Sequence, residues 1–188
     1  MIDSLKKESF VAEQYDIVEA LTAILINQGA IKGSEQVPIE TAFRDRGQSQ
    51  FEDFLLEEGI VTKEQLLEAL AIFYEVPALD VEGEFFDHHL VTMFPKDVML
   101  RNLFIPYQRD GDVLICIAAN PNNPALLEII GRFVSYDVAF MVGIPRHITD
   151  EVKEFYERSL TDFPREDEIH DTEDEADLHV TVVEEDEA

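Results

Sequence analysis

Residues 51 to 81 read FEDFLLEEGIVTKEQLLEALAIFYEVPALDV. The stretch predicts a helix, a glycine stop, a capped second helix and an exit into a strand. Phe54, Leu55 and Leu56 form the apolar side of the first helix. Gly59 follows Glu57 and Glu58 where a left-handed C-terminal cap falls, a conformation glycine adopts without a Cβ penalty. Thr62 and Gln65 make a T-x-x-Q capping box for the next helix. Leu66, Ala69, Leu70 and Phe73 then recur at i, i+3, i+4 and i+7, one apolar stripe that Pro77 ends.

A weaker copy precedes it. LTAILINQGAI at 21–31 aligns with FEDFLLEEGIV at 51–61, placing Gly29 thirty residues before Gly59. Between them, Pro38 suits the first position of another helix, with Ile39, Ala42 and Phe43 apolar, and Gly47 suits its end. Two helix–Gly–helix units in tandem fill the first 75 residues or so, the pattern of two helical hairpins burying each other's stripes. Ahead of them, residues 4–28 read as one helix or a broken pair, with Leu5, Val11, Ile17, Leu21, Ile24 and Leu25 inward.

The period changes after Pro77. Ala78 to Val81 reads as a short strand, and Phe85 to Leu100 as helix in two pieces broken before Pro95. LFIPY at 103–107 and VLICIA at 113–118 are β-prone runs flanking Q-R-D-G-D, whose Asp110–Gly111 pair signals a hairpin. Asn123 and Pro124 open a helix as N-cap and first residue. Tyr136 to Val142 is a further strand, and Pro145 opens a last helix with Ile148, Val152, Phe155 and Leu160 on its stripe. The fold class that follows is α+β: tandem helical hairpins over 1–76, a small α/β subdomain with a three- to four-stranded sheet over 77–160, and an acidic tail over 161–188. That tail carries thirteen acidic residues and one base, Arg165. It has too little apolar surface to offset chain entropy, so disorder is expected there.

Composition bounds function. The net charge is −27, from 41 acidic and 14 basic residues. Such a surface repels phosphate backbones and anionic lipid, which argues against nucleic acid and for a basic protein surface as partner. No apolar stretch reaches the ~18 residues of a membrane span. MIDSLKKESF lacks the apolar core of a secretory signal, so a cytoplasmic location is expected, without direct membrane insertion. Cys116, the single cysteine, lies in VLICIAA and reads as a buried structural thiol.

No catalytic motif is present. The sequence holds no G-x-x-x-x-G-K-[ST], no G-x-G-x-x-G and no G-x-S-x-G. His88 and His89 are adjacent, and helical neighbours point about 100° apart rather than sharing a metal; His147, His170 and His179 stand alone in the sequence. No catalytic and no metal-ligating residue is therefore assigned, and the chain is not expected to be an enzyme.

The order of these motifs resembles a known domain. L-x-x-x-L-x-x-x-G-x-I, then T-x-x-Q-L-x-x-A-L, then V-P-A-L-D-V resembles the N-terminal domain of the type II secretion and type IV pilus assembly ATPases. F-P-K-D-V-M-L-R-N-L-F-I-P-Y and R-D-G-D-V-L-I-C-I-A-A-N-P-N-N-P-A-L extend the resemblance over about residues 15 to 160. The resemblance implies a non-catalytic domain that docks a motor onto an inner-membrane platform. Its expected partner is such a platform component or a motor ATPase, which would recruit the chain to the inner membrane. In the family a linker and motor follow; here an acidic, linker-like tail follows, as in a free-standing relative or a fragment.

Some members of that family bind cyclic di-GMP through tandem R-L-G-x-x-L-x-x-x-G-x-I motifs, each ending in Gln. The resemblance maps these onto Leu25 and Gly29 in the first copy, and onto Gln50, Phe51, Glu52, Leu55, Gly59, Leu66 and Phe73 in the second. Gln50, Phe51 and Glu52 replace Arg-Leu-Gly, and Phe73 replaces the terminal Gln. The first copy has Ala20, Leu21 and Thr22. A carboxylate ~4 Å from a phosphate costs about 4 kcal/mol at an effective dielectric near 20. No cofactor is therefore assigned. Cyclic di-GMP sensing through a divergent site is the alternative reading, with Arg44 and Arg46 as the cluster to replace the missing phosphate contacts.

Overall fold

The computed structural model describes residues 17–47 and 50–161, with side chains to Arg158. The expectations for residues 4–16, for Leu160 and for the tail from 162 onward lie outside the described residues.

The first helix, α1, covers 17–27. It ends as α3 does. Gly29 N–H donates to the Ile26 carbonyl at 2.9 Å and Ala30 N–H to Leu25 at 2.9 Å. After α3 (Phe51–Glu57), Gly59 donates to Leu56 at 3.0 Å and Ile60 to Leu55 at 2.9 Å. Both glycines are left-handed, at φ 73° and 62°. These are two copies of one Schellman cap. The second helix of each unit follows: α2 (Gln36–Arg46) behind a 3-10 turn at Gly33–Glu35, and α4 (Lys63–Tyr74) behind the Thr62–Gln65 box. The 3-10 turn starts α2 two residues before Pro38, which therefore occupies the third helical position rather than the first. Its missing N–H is still one of the four that a helix start leaves unpaired. Ala42 is exposed, while Ile39 and Phe43 turn inward.

The α/β half begins with two short helices, α5 (His88–Val91), capped by the Asp87 carboxylate, and α6 (Lys96–Asn102), capped at Pro95. Asp87 delays the expected helix start from Phe85 to His88. Then β1 (Phe104–Asp110) and β2 (Val113–Ala118) form an antiparallel hairpin closed by Gly111 and Asp112, with Gly111 at φ 58°. Asp110 thus stays in the strand. A bulge at Tyr107 accommodates Pro106, which has no N–H for the ladder. α7 (Pro124–Gly131) crosses over to β3 (Asp137–Val142), parallel to β2, giving the order β1-β2-β3. α8 (Pro145–Thr161) packs back over the sheet through Ile148 and Val152.

The expected strand at Ala78–Val81 is a single bridge, Ala78 to Val142. Leu79 N–H reaches the Val142 carbonyl and Val142 N–H reaches Pro77, both at 2.9 Å, before the chain turns away. Cys116 is fully buried on the central strand, and burial pushes its thiol up to about 12. One apolar cluster fills the α/β half around Phe94, Phe104 and Ile117. A second fills the helical half around Leu21, Leu55 and Leu70, and takes in Val142 at the end of β3 and Ile144 just after it.

Candidate functional site

The start of α3 and the end of α4 face the α/β half across a cavity of about 350 Å³. Gln50, Phe51 and Glu52 supply one wall, and Phe73 and Tyr74 the next. Opposite stand Arg101 and Asn102 from the end of α6, Asn120 after β2, and Asn123 capping α7. Ile17 of α1 and Pro145 of α8 complete the rim. Two caps place these groups. Gln50, extended at φ −69° and ψ 143°, turns the chain into α3, and left-handed Leu103, at φ 48°, ends α6 beside the cavity.

Glu52 is the unusual group. It is 3% exposed, in the first turn of α3. Burial pushes its carboxyl up to about 7; its own backbone N–H opposes this and neighbouring Asp53 adds to it. The repulsion of a phosphate expected from sequence is thereby reduced, because a carboxyl raised this far by burial holds its proton more readily. Burial likewise raises the Asp53 carboxyl, against the pull of Arg146, and one Asp53 oxygen has no hydrogen-bond partner. Phe73 meets Tyr74 edge-on at 4.7 Å between ring centres. Arg101 is held by Asp97, through both its carboxylate and its backbone carbonyl.

The motif positions separate into two groups. Gln50, Phe51, Glu52 and Phe73 meet on the cavity. Leu25, Leu55 and Leu66 are fully buried in the helical core, and Gly29 and Gly59 are helix caps. Arg44 and Arg46 lie in the last turn of α2 and do not line the cavity. Arg46 pairs with Glu58 at 2.6 Å and Glu57 at 3.6 Å, and lies over the Phe54 ring. Sequence reasoning missed Arg101, Asn102, Asn120 and Asn123 as neighbours of that motif. The signal available was the turn-rich run N-P-N-N-P at 120–124, read only as a helix start.

A second constellation joins the halves. His147 Nδ1 lies 3.3 Å from Asp80 and its Nε2 3.5 Å from Glu82, so this histidine does not stand alone. The Lys63 ammonium contacts Asp80 at 2.5 Å and Glu82 at 2.8 Å. Asp80, Glu82 and His147 could bring ligand atoms within 4.8 Å of one another. Lys63 sits on both carboxylates, its own pKa raised first by the hydrogen bond to Asp80 and then by that to Glu82. Burial raises the Asp80 carboxyl, but Lys63, the Glu82 backbone N–H and His147 overcome it, leaving the group below its usual range. The arrangement works as an ionic clasp between α4, the connector and α8. Among the described residues, no helix is long and apolar enough to cross a membrane.

Residues 74–162 match the MshEN domain. The type IV pilus assembly ATPase PilB of Myxococcus xanthus is 23% identical over 102 residues, which are 54% of this chain and 18% of that protein. PilB of Thermus thermophilus is 27% identical over 116 residues, 59% of this chain and 13% of that protein. The chain thus spans less than a fifth of the length of these curated relatives. A structure of MshE with cdg superposes at a TM-score of 0.57 with 21% identity, covering 72% of this chain and 98% of that one. The N-terminal domain of XpsE superposes at 0.51 with 14% identity, covering 72% and 92%. Domain match, relatives and fold agree in what the chain is similar to: residues 74–162 to the MshEN domain, part of the chain to part of the type IV pilus assembly ATPases PilB, and its fold to MshE and the N-terminal domain of XpsE.

Proposed function

We propose that this chain is a non-catalytic docking module of a type II secretion or type IV pilus machine. Its partner is an inner-membrane platform component or a motor ATPase. It works in the cytoplasm and reaches the inner membrane through that partner. The observation that supports this reading is an N-terminal-domain fold carrying a net charge of −27. Such a surface steers a basic partner and raises the association rate. The division into a helical part to residue 76, an α/β part to 160 and a tail belongs to the same reading. Two separate apolar clusters support it, although Val142 and Ile144 pack with the helical side.

The test is binding of the purified chain to purified platform and motor proteins at low and high salt. Affinity in the micromolar range or tighter, weakening as salt screens the charges, is expected. Failure of both proteins to bind sinks the reading. The same preparation should show no ATP or GTP turnover above a mock purification.

One observation favours a second reading, cyclic di-GMP sensing: Gln50, Phe51, Glu52 and Phe73 converge on one cavity. Titration calorimetry decides between them. Saturable binding near or below a micromolar, lost on Gln50→Ala or Arg101→Ala, supports the sensor. Loss on changing Arg44 or Arg46 instead would place the ligand at the end of α2.

A further inference from the structure

A buried carboxylate is costly unless a cation or several donors compensate it. Glu52 has little of either. Among the described residues, its own backbone N–H supports its charge, and the one charge acting on it is another acid, Asp53. Arg101, across the cavity, is engaged by Asp97. Among the described residues, the cavity lining therefore includes a buried acid, Glu52, with no cation paired to it, alongside Phe51, Phe73 and Tyr74. A carboxylate with aromatic faces around it is the complement of an ammonium or guanidinium group on an apolar stem. A volume of about 350 Å³ has room for one such side chain.

We propose that this cavity accepts a lysine or arginine side chain of a protein partner, with Glu52 as its counter-ion. The cation site stands on the geometry of the cavity; the source of the side chain rests on the docking reading. The acidic surface would concentrate a basic partner near the cavity, and Glu52 would fix one of its side chains in register.

The test titrates the full chain with N-acetyl-arginine amide and N-acetyl-lysine amide, followed by amide NMR. N-acetyl-citrulline amide, the uncharged isostere, is the control. Saturating shifts centred on Gln50, Phe73 and Asn120 are expected, with citrulline about tenfold weaker or worse. Glu52→Gln should lose about tenfold while its own spectrum stays folded. Phe73→Leu, which keeps the position apolar, should lose roughly threefold. Affinity should rise with pH up to about 7 and then level off, since the ionised Glu52 binds. The other titratable or charged groups facing the site are Asp53 on α3, Tyr74 on α4 and Arg101, with its partner Asp97, on α6. Citrulline binding as well as arginine, or an unaffected Glu52→Gln, overturns the site. A large rise in probe affinity on Lys6→Gln with Lys7→Gln would show the chain's own lysines filling it, and would overturn the partner as occupant. Probe binding without platform or motor binding overturns the docking reading alone. Partner binding without probe binding overturns the cation site alone.

Discussion

At Gly59 the backbone sits at φ 62°, and nothing lies within 4 Å of where a Cβ would stand. Conformation, not space, sets the cost of substitution. Gly59→Ala should lose roughly 1–2 kcal/mol in denaturant melts, the penalty of the left-handed region. Gly59→Asn should lose less despite its greater size, because Asn tolerates that region. An Asn variant weaker than the Ala variant would defeat the explanation. Glu52 poses a different problem, one of charge. Its carboxyl titrates near 7 in the fold against an ordinary 4.5. Between those values the folded chain keeps a proton that the unfolded chain has released. Stability is therefore fullest at the acid end of the window and falls as pH rises through it, by roughly 3 kcal/mol in total. Glu52→Gln should remove that slope, matching the parent near pH 4.5 and exceeding it at pH 8. Parallel stability–pH curves for the two proteins would show that Glu52 is solvated.

The two helix–Gly–helix units repeat their C-terminal caps but not their N-terminal ones. Thr62 accepts from the Gln65 N–H and its own N–H donates to the Gln65 side chain at 2.9 Å. In the first unit the Lys32 N–H donates to Glu35 at 2.7 Å, but lysine has no oxygen to return the bond. Half a capping box is missing there. Thr62→Ala should cost about 1 kcal/mol, and Lys32→Thr should gain a similar or smaller amount, read as opposite shifts in the melting midpoint. Thermal melts in which Lys32→Thr lowers the midpoint would refute the comparison. Between β3 and α8 the constraint is space. A Cβ on Gly143 would lie 2.7 Å from Ile117 Cγ2 and 3.2 Å from Ile148 Cδ1, both in the core. Gly143→Ala should cost about 1–3 kcal/mol, the range of overpacking, and this glycine has no left-handed backbone to share the blame.

Across the whole molecule, the halves meet through packing reinforced by ion pairs. Arg146 on α8 reaches Glu57 on α3 at 2.7 Å, and Lys63, Asp80, Glu82 and His147 form the clasp beside it. Arg146 and Glu57 are each about half exposed, so solvent screens the pair. Arg146→Ala should change stability by less than about 1 kcal/mol, with apolar contacts such as Val142 and Ile144 against the helical core holding the interface. A larger loss in a two-state melt would mean that the pair is shielded in solution.

Much of the fold was readable from the chain because its signals are local. The left-handed glycines at 29 and 59, the Thr62 box and the Asn123–Pro124 start each act over a few residues, and each appears where the sequence puts it. The hairpin around Gly111 and the break before Pro95 belong to the same class. The shift of the α2 start by a 3-10 turn is a local detail that propensity does not resolve. What the sequence left open depends on distant segments meeting. The Ala78 run finds a partner at Val142 for one bridge only. His147 gains Asp80, 67 residues away. The cavity draws on residues 17, 50–52, 73–74, 101–103, 119–120, 122–123 and 145, and no spacing rule links them. Most telling is Glu52, which on paper is one acid among 41. Burial beside Asp53 makes it the group that defines the site, and burial belongs to the packed molecule because it is set by what surrounds a side chain in space.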